Sequence, residues 1–570
     1  MTTLNNPSKL SYFPKIVLSV FFITIIFGLL GTWLPAFGYL PVIGQHSFSL
    51  NPWQELIAHP SLSKSLAATL ISGWGAALGS LSVALAIVVL SYGSKPWRYL
   101  ERALAPILSI PHAAFAIGFG FLISPSGWLI RLISPGLTGF DESPDWAILQ
   151  DPHGLSLMVA LIIKETPFLL LIIIGALNRL KLSENLAIGR SLGYQPAQVW
   201  IKLIIPQLYP HIRLSVFAII AYSLSVVDIS MILGPTAPPT LPVLILQWFN
   251  DPDISLRLIG AAGATLLLLL VAGSIGLAWI LEMAIRLKHT NWVVNGKRTT
   301  IVTFFKPLSF GTIGILVLFT LTSVLVLFIW SFTWRWQFPQ ALPSEWSIRF
   351  WSKGFNQAGG PIWITFITGL ASAFIALVLV IGCLEYEVVL QKTGRKINYE
   401  KLLWFAYLPL LIPQIAFIFG VQMVLTAFLM DGYWLSLVGS HLIFVYPYIF
   451  LTLSATYRNF DQRISQLATI LSGSVWKAFL QVKLPMLLRP ILFSFAIGFS
   501  VSVAQYIPTL FIGAGRFATI TTEAVNLASG SDRRIVAVFA LCQQLVPLII
   551  FVSAIFIPKI LFSNRRDMQV

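Results

Sequence analysis

Inside long apolar runs of this 570-residue chain, the polar or ionisable residues His112, Lys164, Glu165, Asp228, Gln505 and Tyr506 stand out. Such groups are expensive in hydrocarbon, so each faces a partner, a cavity or water and marks a path for a solute or ion. Lys164 and Glu165 are adjacent ahead of Pro167. Neighbours on a helix point about 100° apart, so the two either line a translocation path or reach separately to other helices. Asp228 stands in SLSVVDIS with Ser223 and Ser225, and the matching later run holds Ser502, Gln505 and Tyr506. Polar groups at matching places suit a central pathway, the alternative being hydrogen bonds between helices. His112 follows Pro111 as Gln414 follows Pro413, and is either a pathway group or a satisfied core histidine. His441 reads as packing.

Nothing points to catalysis, a cofactor or a metal. No Gly-x4-Gly-Lys-Ser/Thr occurs, and no His/Cys/Asp cluster has metal-ligand spacing. Cys383 and Cys542 lie in apolar runs and read as small buried hydrophobes. GAGRFA, at 513–518, has no strand–helix setting for a nucleotide.

The elements that position these residues are membrane helices. The chain is 57% hydrophobic and 10% charged, against about 25% charged in a soluble domain. Spans are expected at 16–40, 65–90, 103–123, 155–177, 214–233 and 258–285, then at 308–332, 363–384, 402–425, 437–455, 491–512 and 536–561. The net charge of +16 is spread over short loops, so it reports topology rather than nucleic-acid binding. Most Lys and Arg fall on one side if both termini are cytoplasmic, with Arg533-Arg534 against the trend. The opposite side has the acidic stretch 141–145, Asp251 and Asp253.

The chain repeats itself. TLISGWGAA from Thr69 matches TFITGLASA from Thr365, and PHAAFAIG from Pro111 matches PQIAFIFG from Pro413. The expectation is therefore an all-α polytopic protein of about twelve helices in two parallel six-helix repeats. The first half covers 1–290, a basic linker 291–307, and the second half 308–570. Pro111, Pro167, Pro413 and Pro447 are expected to kink or break their helices. Gly73, Gly118, Gly369 and Gly420 are expected to admit close helix packing.

After the fourth span of each half comes a long polar loop, 178–212 and 458–490, with Pro206 and Pro485 279 positions apart. In the first copy Ser183 is expected to cap a helix over 184–192, with Gly193 ending it in a left-handed turn and a second segment over 197–205. This is a docking surface for a symmetric partner, or else an amphipathic helix on headgroups.

The loops resemble the coupling loop of ATP-binding-cassette importer permeases of the MetI-like kind: Glu-Ala-Ala, three residues, Gly, then a hydrophobic-Pro element thirteen residues on. Leu192-Gly193 and Pro206 fit that spacing, and Ala468, Leu471 and Pro485 carry the second copy. The motif's Glu falls on Ala187 and Gln466, its alanines on Ile188-Gly189 and Leu467-Ala468, and its Gly, in the second copy, on Ser472. The resemblance implies that these residues couple the chain to two ATPase subunits, and that a periplasmic binding protein delivers the solute across a bacterial inner membrane. On 221–243, WFNDPDIS and 504–525 the chain is similar to fused double permeases of thiamine and ferric iron importers. Thiamine is the solute so implied, with ferric iron as alternative. An ion-coupled secondary transporter, using Glu165 and Asp228 as ion sites, is the other reading, and a non-transporting membrane scaffold is a third. No nucleic-acid partner is expected.

Overall fold

A computed structural model describes residues 10–294, 296, 306–392 and 399–562. Residues 295 and 297–305 of the basic linker, most of 392–401, and Arg565-Arg566 lie outside it.

The first half begins with α1 (Tyr12–Ala36) and a short α2 (Asn51–Ala58), followed by α3 (Leu62–Ser91), α4 (Lys95–Ser109), α5 (His112–Ile123) and α6 (Trp128–Ile133). The central α7 (Leu155–Leu177) leads into the first polar loop, with α8 (Leu182–Ser191) and α9 (Pro196–Val199). Next come α10 (Ile205–Ser225), α11 (Asp228–Leu233), α12 (Leu241–Asn250) and α13 (Leu256–Val294). The second half opens with α14 (Lys306–Ser331) and a two-stranded hairpin, β1 (Thr333–Arg335) against β2 (Glu345–Trp346). Then follow α15 (Arg349–Lys392), α16 (Tyr399–Leu411), α17 (Gln414–Ala427), α18 (Trp434–Arg458), α19 (Gln462–Ser472), α20 (Val475–Ala478), α21 (Leu484–Met486), α22 (Leu488–Val503), α23 (Ile507–Ile512), α24 (Ile520–Ala528) and α25 (Arg533–Leu561). Among the described residues ten helices are long and apolar enough to cross a membrane, or twelve if two bent pairs each count as one. The protein is thus all-α and polytopic.

Local chemistry sets where the helices stop. After α3 the chain turns at Gly93, whose φ of +75° is a left-handed conformation. The Ser94 hydroxyl then accepts the Trp97 amide at 3.3 Å and caps α4. Asp461 and Asp532 cap α19 and α25 in the same way. Pro111 and Pro413 break the third and ninth spans, the latter by 86°. Pro167 and Pro447, expected to do likewise, stay inside unbroken α7 and α18. The fifth and eleventh spans divide instead, at Val226-Val227 and at 504–506.

The first helix of each half packs on the other half. α1 crosses α17, and α14 crosses α5. Glycines set these crossings. A Cβ on Gly31 would lie 2.7 Å from the Gly420 carbonyl oxygen, and one on Gly118 would meet the backbone of Ser323. The expected close-packing role thus fits Gly118 and Gly420, while Gly73 and Gly369 receive the side chains of Leu224 and Phe499. The helix faces turned outward are apolar, as on α1 (Phe22, Ile26, Phe27) and α14 (Leu318, Leu321, Leu325). A bilayer supplies the apolar solvent those faces need.

Gly420→Leu should therefore lower the melting temperature of the detergent-solubilised protein, through overpacking of about 1–3 kcal/mol. Gly439→Ala, with nothing within 4 Å of its added carbon, should leave it unchanged.

Candidate functional site

Two regions carry the polar chemistry. One is at mid-bundle and the other at the loop end.

At mid-bundle, the helix breaks bring most of the expected pathway residues together. Glu165 is buried in α7, with its Oε1 3.3 Å from Nε2 of His112 at the start of α5. The His112 ring meets Tyr222 of α10 edge-on, with centroids 5.3 Å apart. Asp228 begins α11, where a carboxylate suits the positive end of a helix dipole. It is half-buried, close enough to His112, Tyr222 and Tyr506 for electrostatic interaction, and forms no ion pair among the described residues. Tyr506 reaches across the halves to Met231 Sδ at 3.5 Å. Gln505 accepts a hydrogen bond from Gln414 at 3.3 Å. Three tyrosines join this cluster without having been singled out in the sequence. Tyr222 is one, Tyr448 faces Phe168 with centroids 6.5 Å apart, and Tyr407 bonds Ser215 across the halves at 2.8 Å. An aromatic residue in an apolar run carries no signal that separates a wall of a path from core.

Lys164 goes elsewhere. Its ammonium donates to the carbonyl oxygens of Ile107, at 3.3 Å, and Ile110. These lie where α4 stops before Pro111, so Lys164 satisfies a buried helix C-terminus rather than pointing with Glu165. His441 is held by Ser502 at 2.8 Å and Thr509 at 3.0 Å, a packed polar contact.

At the loop end, the two polar loops fold as helix, turn, short helix and π-helical turn. The π turns cover Trp200–Ile204 and Phe479–Lys483, 279 positions apart. Such turns are frequent at functional sites, and neither was legible in the sequence. Ser183 is not the cap expected: α8 begins at Leu182, and no side chain caps it. The left-handed residue is Gly193 in the first loop, with φ +78°, and Gly473 in the second, with φ +66°.

In the second loop the left-handed glycine is thus Gly473, one position beyond Ser472. Ser472 is the last residue of α19, and its hydroxyl donates to the Ser474 carbonyl at 3.0 Å. The reason is a turn one residue shorter: Tyr194 and Gln195 separate Gly193 from α9, whereas Ser474 alone separates Gly473 from α20. Counted back from the left-handed glycines, Leu467 and not Gln466 stands opposite Ala187.

Gly189 is buried because Val199 lies against it, where an added Cβ would be 2.8 Å from Val199 Cγ1. Outward from the loops point Ala187, Ile188 and Leu192 in the first, and Gln466, Leu467, Ile470 and Leu471 in the second, Leu471 being 88% exposed. Ala468 is half-buried, and Pro206 and Pro485 sit half-buried just after the π turns.

The two loops are fastened differently. In the second half Lys483, fully buried, is ion-paired to Glu385 of α15, which also accepts from the Tyr457 hydroxyl. Arg458 pairs with Glu387 through bonds of 2.8 and 3.0 Å. The Lys483 ammonium lies 4.4 Å from the Tyr457 ring centroid. In the first half Tyr92 packs on Trp97 and Trp200 at 5.2 and 5.4 Å, Lys202 lies 5.3 Å from the Tyr194 ring, and Asn185 donates to Gln207 at 3.3 Å.

This chain is 34% identical over 523 residues to the inner membrane ABC transporter permease protein YnjC of Escherichia coli (strain K12), covering 92% of this chain and 93% of that one. No family model matches. The chain belongs to the inner membrane ABC transporter permeases and is a multi-pass inner-membrane protein.

Removing one partner of a buried ion pair is strongly destabilising because it strands the other charge. Glu385→Gln should lower unfolding stability by about 3 kcal/mol, with part of that recovered in E385Q/K483Q. A double-mutant cycle in denaturant measures the coupling, and a coupling near zero would show that the pair does not hold the loop.

Proposed function

We propose that this permease is the fused transmembrane subunit of an importer, with its solute path between the two halves and separate ATPase subunits docked on the two polar loops. The observation that carries the reading is the pair of loops. Each has the same order of helix, left-handed glycine, short helix and π turn, and each leaves aliphatic side chains bare on an otherwise polar segment. Such side chains gain free energy only when a partner covers them. Two sites at matching places suit a partner present in two copies.

The excess of Lys and Arg in the short segments at the loop end puts that end in the cytoplasm. Both termini then lie there too, and the halves share one orientation about an axis along the membrane normal. ATP binding draws the two ATPase subunits together, and the loops pass that movement to the helices. A soluble periplasmic binding protein presents the solute at the other end.

Inside the path Glu165 and Asp228 stand among Tyr222, Tyr448 and Tyr506. Carboxylates with aromatic faces recognise organic cations. Thiamine belongs to that class, and it is the solute to which the resemblance to fused permeases points. The ring faces suit an organic cation; ferric iron, the alternative, would use the carboxylate, phenol and imidazole groups of the same cluster. Membership of the ABC permeases replaces the ion-coupled alternative.

Reconstitution with the ATPase and binding protein encoded in the same operon tests this. Uptake should follow ATP hydrolysis and survive a proton uncoupler at constant ATP; collapse with the gradient would refute the importer reading. L192D/L471D should abolish co-purification of the ATPase. Asp228→Asn should leave co-purification intact and slow uptake about tenfold, the equivalent of ~1.4 kcal/mol.

A further inference from the structure

At the end of the bundle opposite the polar loops, the hairpin between α14 and α15 closes over a recess of about 550 Å³. The two ends are well separated. Arg349 at the recess and Glu385 at the loop end are 36 residues apart on α15, about 54 Å at 1.5 Å per residue.

The recess is strongly cationic. Arg335, Arg349, Lys353 and Arg534 line it with Trp334 and Phe350, and Glu345 is its one acid. Arg534 is occupied by Asp532 through bonds of 2.6–3.0 Å and stacks on Phe350 at 4.3 Å. Arg335 stands 4.0 Å from Glu345. Arg349 lies 5.5 Å from the Trp334 ring centroid, and neither it nor Lys353 forms an ion pair among the described residues. These two are one turn apart on α15, an arrangement that destabilises a helix by mutual repulsion unless something offsets it. The charge of Asp532 reaches Lys353, but that carboxylate is already held by Arg534. With Asp532 counted, four cations oppose two acids, leaving +2.

The surroundings identify the occupant. Trp334, Trp346, Ile348 and Phe355 are exposed at the rim, which is the amphipathic composition of a bilayer interface. From there α14 runs inward with Phe328, Leu325, Leu321 and Leu318 all exposed in a stripe. A cationic recess at the head of an apolar stripe matches an anionic phospholipid end to end. Arginine forks suit its phosphate, and the stripe suits its acyl chains. An acidic loop of a soluble partner would match the cations but make no use of the adjoining stripe.

We infer that this recess binds the phosphate headgroup of an anionic phospholipid whose acyl chains lie on the exposed face of α14. The full chain, extracted from membranes of equal phosphatidylcholine and phosphatidylglycerol, should retain phosphatidylglycerol in excess when its bound lipid is measured by mass spectrometry. R349Q/K353Q should reduce that excess by about fivefold per cation removed. Lys353→Arg, which keeps the charge, should preserve it and shows that the fold tolerates change there. Lys64→Gln, a surface lysine at the start of α3, should have no effect. Equal retention in R349Q/K353Q overturns the inference. So does protection from heat by free glycerol phosphate equal to that by phosphatidylglycerol, which would assign the recess to a soluble phosphorylated solute. Loss of binding-protein affinity in R349Q/K353Q with lipid retention unchanged overturns it in favour of protein docking.

Discussion

A bilayer offers the backbone no hydrogen-bond partner, so each break in a spanning helix has to be satisfied from inside the protein. Much of this structure follows from that constraint. The break before Pro111 frees carbonyls at the end of α4, and Lys164 is spent on two of them. The breaks at 226–227 and 504–506 turn the chain where Asp228 and Tyr506 begin new short helices. Interruptions that would be a liability in lipid gather the ionisable groups at mid-bundle. The polar cluster is a product of the same geometry that breaks the helices.

Exchange of the first helices ties the two halves together at these breaks. α5 and α17 both start at a break, and each is crossed by the opening helix of the other half at a glycine contact. Backbone-to-backbone approach leaves little slack, so displacement of one half is felt by the other. Dispersion contacts of this kind are individually small and collectively large.

The halves part company at the loop end. Matching Thr69 with Thr365 and Pro206 with Pro485 puts Val89 opposite Glu385 and Ile204 opposite Lys483. A buried ion pair in one half thus stands where the other has two aliphatic residues. Such exchanges are often close to neutral in stability when both partners change together. In the second half the π turn and the last residue of α18 are tied to α15 by directional charged bonds, while in the first Tyr92 packs on Trp97 and Trp200.

The apolar runs and the polar segments between them were legible in the sequence because hydropathy and turn chemistry are local. Asp228, Glu165 and His112 stood out for the same reason: an ionisable group in an apolar run is conspicuous without coordinates. What tertiary structure decided was where each group points and where helices yield. Lys164 and Glu165 read as one feature, yet one caps a helix end and the other faces His112. Pro167 and Pro447, expected to kink or break their helices, break neither, while Val226-Val227, with no Gly or Pro to announce it, is where a helix stops. The left-handed position fell on Gly473 because a turn shortened by one residue, a shift that spacing to Pro485 concealed. The Glu385–Lys483 pair joins residues 98 positions apart. Local pattern fixes which segments cross the membrane, but helix rotation and long-range partners depend on packing among segments distant in sequence.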